Sequence, residues 1–146
     1  MKRFVLLFLF TAFLFVLSTA QSKVANFFTG KYGTENYEQF SFWVKEGKRA
    51  DIDYTFGVNR KDVRLKYLGK NIFKGDSCFK VQFPNNYILY IIPTNKNLKI
   101  TDESGKYLKI FRWEYEGPIN GIGTFCDICV ENEDAAMQLI RLYYLK

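Results

Sequence analysis

Between residues 39 and 115, apolar and polar side chains change places at every second position, with glycine, proline and asparagine marking the breaks. Phe40, Phe42 and Val44 alternate with Ser41 and Trp43. Ile52, Tyr54 and Phe56 alternate with Asp51, Asp53 and Thr55, and Val63, Leu65 and Tyr67 with Arg64 and Lys66. Successive side chains of a strand point to opposite faces, so each run reads as a half-buried strand with one wet face. The pattern returns with Phe79, Val81 and Phe83 and with Phe111, Trp113 and Tyr115. Turn-forming residues separate the runs at Glu46-Gly47-Lys48, Gly57 to Asp62, Pro84-Asn85-Asn86 and Asp102-Glu103-Ser104-Gly105. Short connections between such strands specify a meander, an open barrel or a sandwich.

The remaining segments fit around this frame. Gln21 to Asn26 reads as a frayed polar lead-in, and Phe27 to Gly33 as a loop or a first short strand. Ile72-Phe73, flanked by Gly69 and Gly75, reads as loop or an extra edge strand. Tyr87 to Ile92 is continuously apolar, as expected of a central strand covered on both faces. Glu116-Gly117-Pro118 with Gly121 and Gly123 predicts a sharp corner, after which Thr124 to Val130 resumes strand character. These glycines lead into a strand and not into a helix N-terminus, unlike a phosphate loop. Asn132 is a good N-cap, Glu133 and Asp134 suit the positive end of a helix dipole, and Ala136, Leu139, Ile140, Tyr143 and Tyr144 share one face. The expected fold is mainly β: a single antiparallel meander of about eight strands, barrel-like or strongly curved, with a C-terminal α-helix over about 132–146 packed on it.

The first twenty residues read as a signal peptide. Lys2 and Arg3 precede an apolar run from Phe4 to Ser18, and Ser18-Thr19-Ala20 supplies small residues for cleavage. That run is too short to span a bilayer as a helix, so no stable membrane span is expected after cleavage. Residues 21–146 would then form one β-rich domain, secreted or periplasmic.

Composition narrows the chemistry. Without residues 1–20 the chain carries 19 Lys and Arg against 15 Asp and Glu, and charges such as Lys45-Glu46-Gly47-Lys48-Arg49-Ala50-Asp51 are mixed in sign. No one-sided basic stripe is present to neutralise phosphates, so nucleic acid is not an expected partner. The chain has no histidine, which excludes Ser-His and Cys-His nucleophile schemes. Aromatic side chains abound, with 15 Phe, 10 Tyr and 2 Trp; they suit a β-rich core, a lined cavity or a recognition face.

An export signal, Gly30-Lys31-Tyr32 near the first strand, about eight meandering strands and a C-terminal helix together resemble the lipocalin-like calycins. Tyr32 stands where that family has tryptophan. The resemblance implies a barrel with a cavity for a small apolar ligand.

The cysteines are 78, 126 and 129. In a regular strand Cys126 and Cys129 would lie about 10 Å apart on opposite faces, too far for a disulfide. Cys78 is therefore expected to bond one of them, with Cys129 as its outer-face partner if Phe125 also points outward. A bond between Cys126 and Cys129 would need a bend and would make redox chemistry conceivable. Three cysteines without histidine leave a zinc site one ligand short, so no metal and no cofactor is expected. The pairs Asp51/Asp53 and Glu114/Glu116 are spaced for carboxylate hydrolysis, yet each sits among basic residues, as cross-strand charge pairs do. The resulting expectation is a non-enzymatic exported binding protein for a small apolar ligand or a protein partner, such as an inhibitor. Trp43, Tyr54, Trp113 and Tyr115 are its candidate ligand-binding residues, because Trp and Tyr combine contact area with a polar handle. The alternative is a periplasmic thiol-redox or carboxylate-based hydrolytic enzyme.

Overall fold

The computed structural model describes residues 21–113 and 128–146. The expected signal segment 1–20, the corner around Gly117-Pro118, Glu114, Tyr115, Glu116, Phe125 and Cys126 lie outside the described residues. Eight antiparallel strands follow one another as β1 (Lys23–Thr29), β2 (Glu38–Lys45), β3 (Lys48–Phe56), β4 (Lys61–Phe73), β5 (Asp76–Gln82), β6 (Ile88–Pro93), β7 (Asn97–Asp102) and β8 (Leu108–Trp113). Each strand pairs with the next, and β8 returns to β1, so the sheet closes into a barrel. A helix, α1 (Glu133–Tyr143), stops one end.

The alternating residues dictate which face is which. Phe40, Phe42 and Val44 on β2, Ile52 on β3, Leu65 on β4, Phe79 and Val81 on β5 and Phe111 on β8 are all buried in the core. The β2–β3 hairpin turns at Glu46 and Gly47, both with positive φ (51° and 68°), the two-residue geometry that matches strand twist. Gly30, in the β1–β2 connection, cannot be replaced without movement: a Cβ there would collide with the Asn36 carbonyl oxygen.

Three expectations are corrected. Lys23 to Asn26 is not frayed but forms the first half of β1, because β2 pairs with it from Val44 to Ser41. Ile72 and Phe73 belong to a β4 of 13 residues that runs through Gly69. A register shift between Tyr67 and Gly69, with Gly69 at φ 111°, absorbs the irregularity that reads as a break in sequence. Beyond it the β4–β5 hairpin is an arm whose Phe73 ring lies 4.8 Å from Tyr90. The Tyr87 to Ile92 stretch is not a central strand, since a closed barrel has no centre. Of the strand expected over Thr124 to Val130, residues 124–127 lie outside the described residues; in the described part Cys129 makes a single parallel bridge to Val24.

That bridge completes the closure. Among the described residues the β1–β8 ladder has two register pairs, Phe27 with Trp113 and Phe28 with Arg112. Closer to the helix, the edge of β1 is taken by residues 128–130: the Val24 N–H donates to the Ile128 carbonyl at 2.8 Å, and the Val130 N–H to the Val24 carbonyl at 3.0 Å.

The helix follows from its caps and its apolar face. The Ala135 N–H donates to Asn132 Oδ1 at 2.8 Å, satisfying one of the unpaired donors of the first turn. Ala136, Met137, Leu139 and Ile140 are buried against the barrel. At the far end Arg141 donates to the Thr94 carbonyl at 2.9 Å in the β6–β7 turn.

Candidate functional site

An eight-stranded barrel encloses a space that side chains can fill or that can hold one small ligand. Among the described residues aromatic rings crowd this space. Phe27, Phe40, Phe42, Phe79 and Phe111 are wholly buried. Phe40 lies 5.0 Å from Phe111, and Phe42 lies 5.9 Å from both Phe27 and Phe79. Tyr144, immediately after α1, enters from the helix end, 5.3 Å from Phe42 and 5.5 Å from Phe79. Its hydroxyl donates to the Trp43 carbonyl at 2.6 Å. Burial holds that phenol protonated well above the usual tyrosine range.

The opposite end, the mouth, is polar. Glu38 begins β2 in phase with Phe40 and Phe42, so its carboxylate points inward, and it is 9% exposed. Lys109, inward on β8 by its phase with Phe111, pairs with Glu38 Oε1, and the Tyr107 hydroxyl donates to Oε2 at 3.2 Å. These contacts join β2 to β8 where β1 has already ended, two strand spacings or about 10 Å apart. Tyr54 stands beside them, 4.9 Å from Phe40 and 5.2 Å from Phe83. Burial first, and the Glu38 charge second, raise both Tyr54 and Tyr107 far above the ordinary phenol range.

The outer face of β1 to β4 carries a groove of about 370 Å³, bordered by Ile128 and Cys129. Trp43, Asp53 and Arg64 form one wall: the indole N–H donates to Asp53 Oδ2 at 3.0 Å, and Arg64 Nε donates to Oδ1 at 2.9 Å. Gln39, Ser41 and Thr55, outward-facing, are nonetheless buried at 4%, 7% and 5% exposure. The Tyr37 hydroxyl donates to Gln39 Oε1 at 2.6 Å, Gln39 Nε2 to Ser41 Oγ at 2.8 Å, and Thr55 Oγ1 to Asp62 Oδ1 at 2.6 Å. Among the described residues no buried side-chain nitrogen or oxygen lacks a partner. A second groove, of about 450 Å³, runs along α1 beside Val44, Val130, Leu139 and Leu142.

The structure separates the three candidate residues it describes. Trp43 lines the outer groove, Tyr54 stands at the mouth inside the barrel, and Trp113 ends β8 half-buried opposite Phe27. Tyr115 is outside the described residues. Asp51 and Asp53 do share a face, but Lys45 and Arg64 pair with Asp51 at 3.2 and 3.1 Å and Arg64 also holds Asp53. They form a cross-strand charge ladder.

The expected Cys78 disulfide is overturned: Cys78 is a free thiol. It faces outward on β5, as its alternation requires, but is wholly buried at the base of the β4–β5 arm. Burial raises its pKa, making it a poor nucleophile.

Sequence reading passed over Glu38, Tyr107, Lys109, Gln39 and Arg64. The signal for two of them was present: carrying the alternation of Phe40 and Phe42 one step back places Glu38 inside, and the same step from Phe111 places Lys109 inside. No protein-family model, curated protein or solved structure matches this chain.

Proposed function

We propose that this chain is an exported, non-enzymatic binding protein that takes its ligand on the outer face of the barrel and not inside it. The observation that carries this reading is the filled interior: five wholly buried phenylalanines and Tyr144 occupy the space that an apolar carrier would keep open. The outer groove then offers the combination that binding sites share, a concave surface with one large aromatic ring and convergent polar groups. Export is supported by the charged, apolar and small-residue order of residues 1–20.

The test is a photo-crosslinking residue placed at position 43, with a second placed at Lys99 on the opposite wall, in protein expressed in its native host. A discrete adduct from position 43 alone, on protein whose mass begins near Gln21, is the expected result. A small apolar molecule that co-purifies with the wild-type chain and leaves position 43 unlabelled would overturn the outer-face reading. A mass that retains residues 1–20 would overturn export.

A further inference from the structure

We infer that the ligand of the outer groove is a neutral, hydroxyl-rich molecule of the saccharide class, laid against Trp43. This rests on the outer-face reading above and adds the chemistry of the ligand to it.

Charge balance comes first. Among the described residues, two guanidinium groups, Arg60 and Arg64, line the groove together with two carboxylates, Asp53 and Asp62. Neither an anion nor a cation gains from such a lining, whereas a neutral ligand meets no uncompensated charge. Donors and acceptors also alternate at close quarters. A hydroxyl is the ligand group that donates and accepts at once, and it satisfies neighbours of both kinds.

Capacity is left over after the internal bonds. A carboxylate offers about four lone-pair sites. Asp53 uses one for the Trp43 indole and one for Arg64 Nε. Asp62 takes Thr55 Oγ1 on Oδ1 only. Ser41 accepts from Gln39 and keeps its own hydroxyl proton to donate. The internal bonds fix these side chains in place beforehand, so a ligand need not order them. Trp43, oriented by its bond to Asp53, supplies the flat apolar surface that suits the C–H face of a pyranose ring. A purely apolar ligand would strip water from this lining without replacing its hydrogen bonds, which is costly.

The chain has two tryptophans, so Trp113→Phe leaves Trp43 as the single indole reporter. That variant of the full chain is titrated with neutral hexasaccharides of glucose, mannose, xylose and N-acetylglucosamine, while wild-type and Trp43→Ala proteins are compared by calorimetry in parallel. A saturable change in Trp43 emission with at least one sugar, weakened at least tenfold by Asp62→Asn and abolished in calorimetry by Trp43→Ala, is the expected result. Circular dichroism and melting temperature certify the fold of each variant. Retention on the matching insoluble polysaccharide, competed by the hexasaccharide, assigns the ligand to a polymer surface; hexasaccharide binding without retention assigns it to free sugar. No saturable response across the panel, or unchanged affinity in Asp62→Asn and Trp43→Ala, overturns the inference. A protein adduct at position 43 together with no sugar response overturns the saccharide class and leaves the outer-face reading standing. No adduct and no sugar response overturns both.

Discussion

At the helix end the barrel is stopped by a buried ring, Tyr144, packed on Phe42, Tyr67 and Phe79, whereas at the mouth it is fastened by the Glu38 carboxylate, the Lys109 ammonium and the Tyr107 hydroxyl. The first closure works by excluding water. Its polar atoms serve it: the Tyr67 hydroxyl donates to the Tyr144 carbonyl at 2.8 Å, and Arg49 lies 3.6 Å over the Tyr67 ring. The second closure works by charge, at a place where the backbone ladder between β1 and β8 has run out, because β1 ends at Thr29 and its pairing with β8 ends at Phe28 with Arg112. An apolar plug is insensitive to salt but intolerant of lost volume. A polar clasp tolerates shape changes yet depends on protonation.

The largest effect should come from removing the plug. Tyr144→Ala deletes a wholly buried ring from the centre of the aromatic cluster and leaves a cavity; it should cost about 3–5 kcal/mol in denaturant unfolding. A loss below about 1 kcal/mol would mean that the helix end contributes little and that the comparison is wrong. Tyr144→Phe, which keeps the ring, should cost only the hydrogen bond to Trp43, about 1 kcal/mol.

Alkaline titration reads both ends at once. Burial raises the pKa of Tyr54, Tyr107 and Tyr144 in the fold above the ordinary value of 10.0 that unfolded tyrosine keeps. The unfolded state therefore releases these protons first. Their contribution is complete below pH 10 and is lost as pH rises above it toward the folded-state values. Tyrosinate absorbance followed beside circular dichroism should show these phenols ionising only as the barrel unfolds, with Tyr107→Phe removing the mouth's share. Full ionisation of all tyrosines in a folded barrel would contradict the burial of both ends.

Glu38→Gln keeps the shape of the clasp but leaves Lys109 without its counter-charge. A cost of about 1–2 kcal/mol is expected, moderated because the Lys109 side chain is 40% exposed. Amide exchange localises it: protection should fall along β8 and the end of β1 and stay unchanged around Tyr144. Uniform loss over the barrel would show that Glu38 contributes to the core in general and not to the seam.

Much of this architecture was legible in the chain. Period-two alternation marked five of the eight strands with their inner faces, and Asn132 marked the helix start. What escaped has identifiable causes. The whole of β4 could not be read because Gly69 looks like a break when it is a bulge, and nothing local distinguishes the two. The first half of β1 is polar in sequence yet strand in structure, since its pairing partner β2 lies fifteen residues away. The groove residues Gln39, Ser41 and Thr55 sit on the face that alternation calls wet; their burial comes from tertiary surroundings. Glu38 and Lys109 lie one alternation step outside the apolar runs that begin at Phe40 and Phe111, and their phase already placed them inside.

The smallest effect separates local from tertiary support at the plug. Asn132→Ala removes the side-chain acceptor for the Ala135 N–H, which costs a helix about 1 kcal/mol in other proteins. An isolated helix of 11 residues is marginal in water, so α1 has little stability of its own to lose. If the plug is held by Ala136, Ile140 and Tyr144 in the barrel, the cap's loss should lower global stability by that amount and leave Tyr144 protected from exchange. If the helix instead supports itself and only leans on the barrel, the same substitution should fray its first turns and open the helix end while the mouth remains closed. Amide exchange at Leu139 and Ile140, compared with Phe111, distinguishes these outcomes, because only the first keeps the two ends melting together.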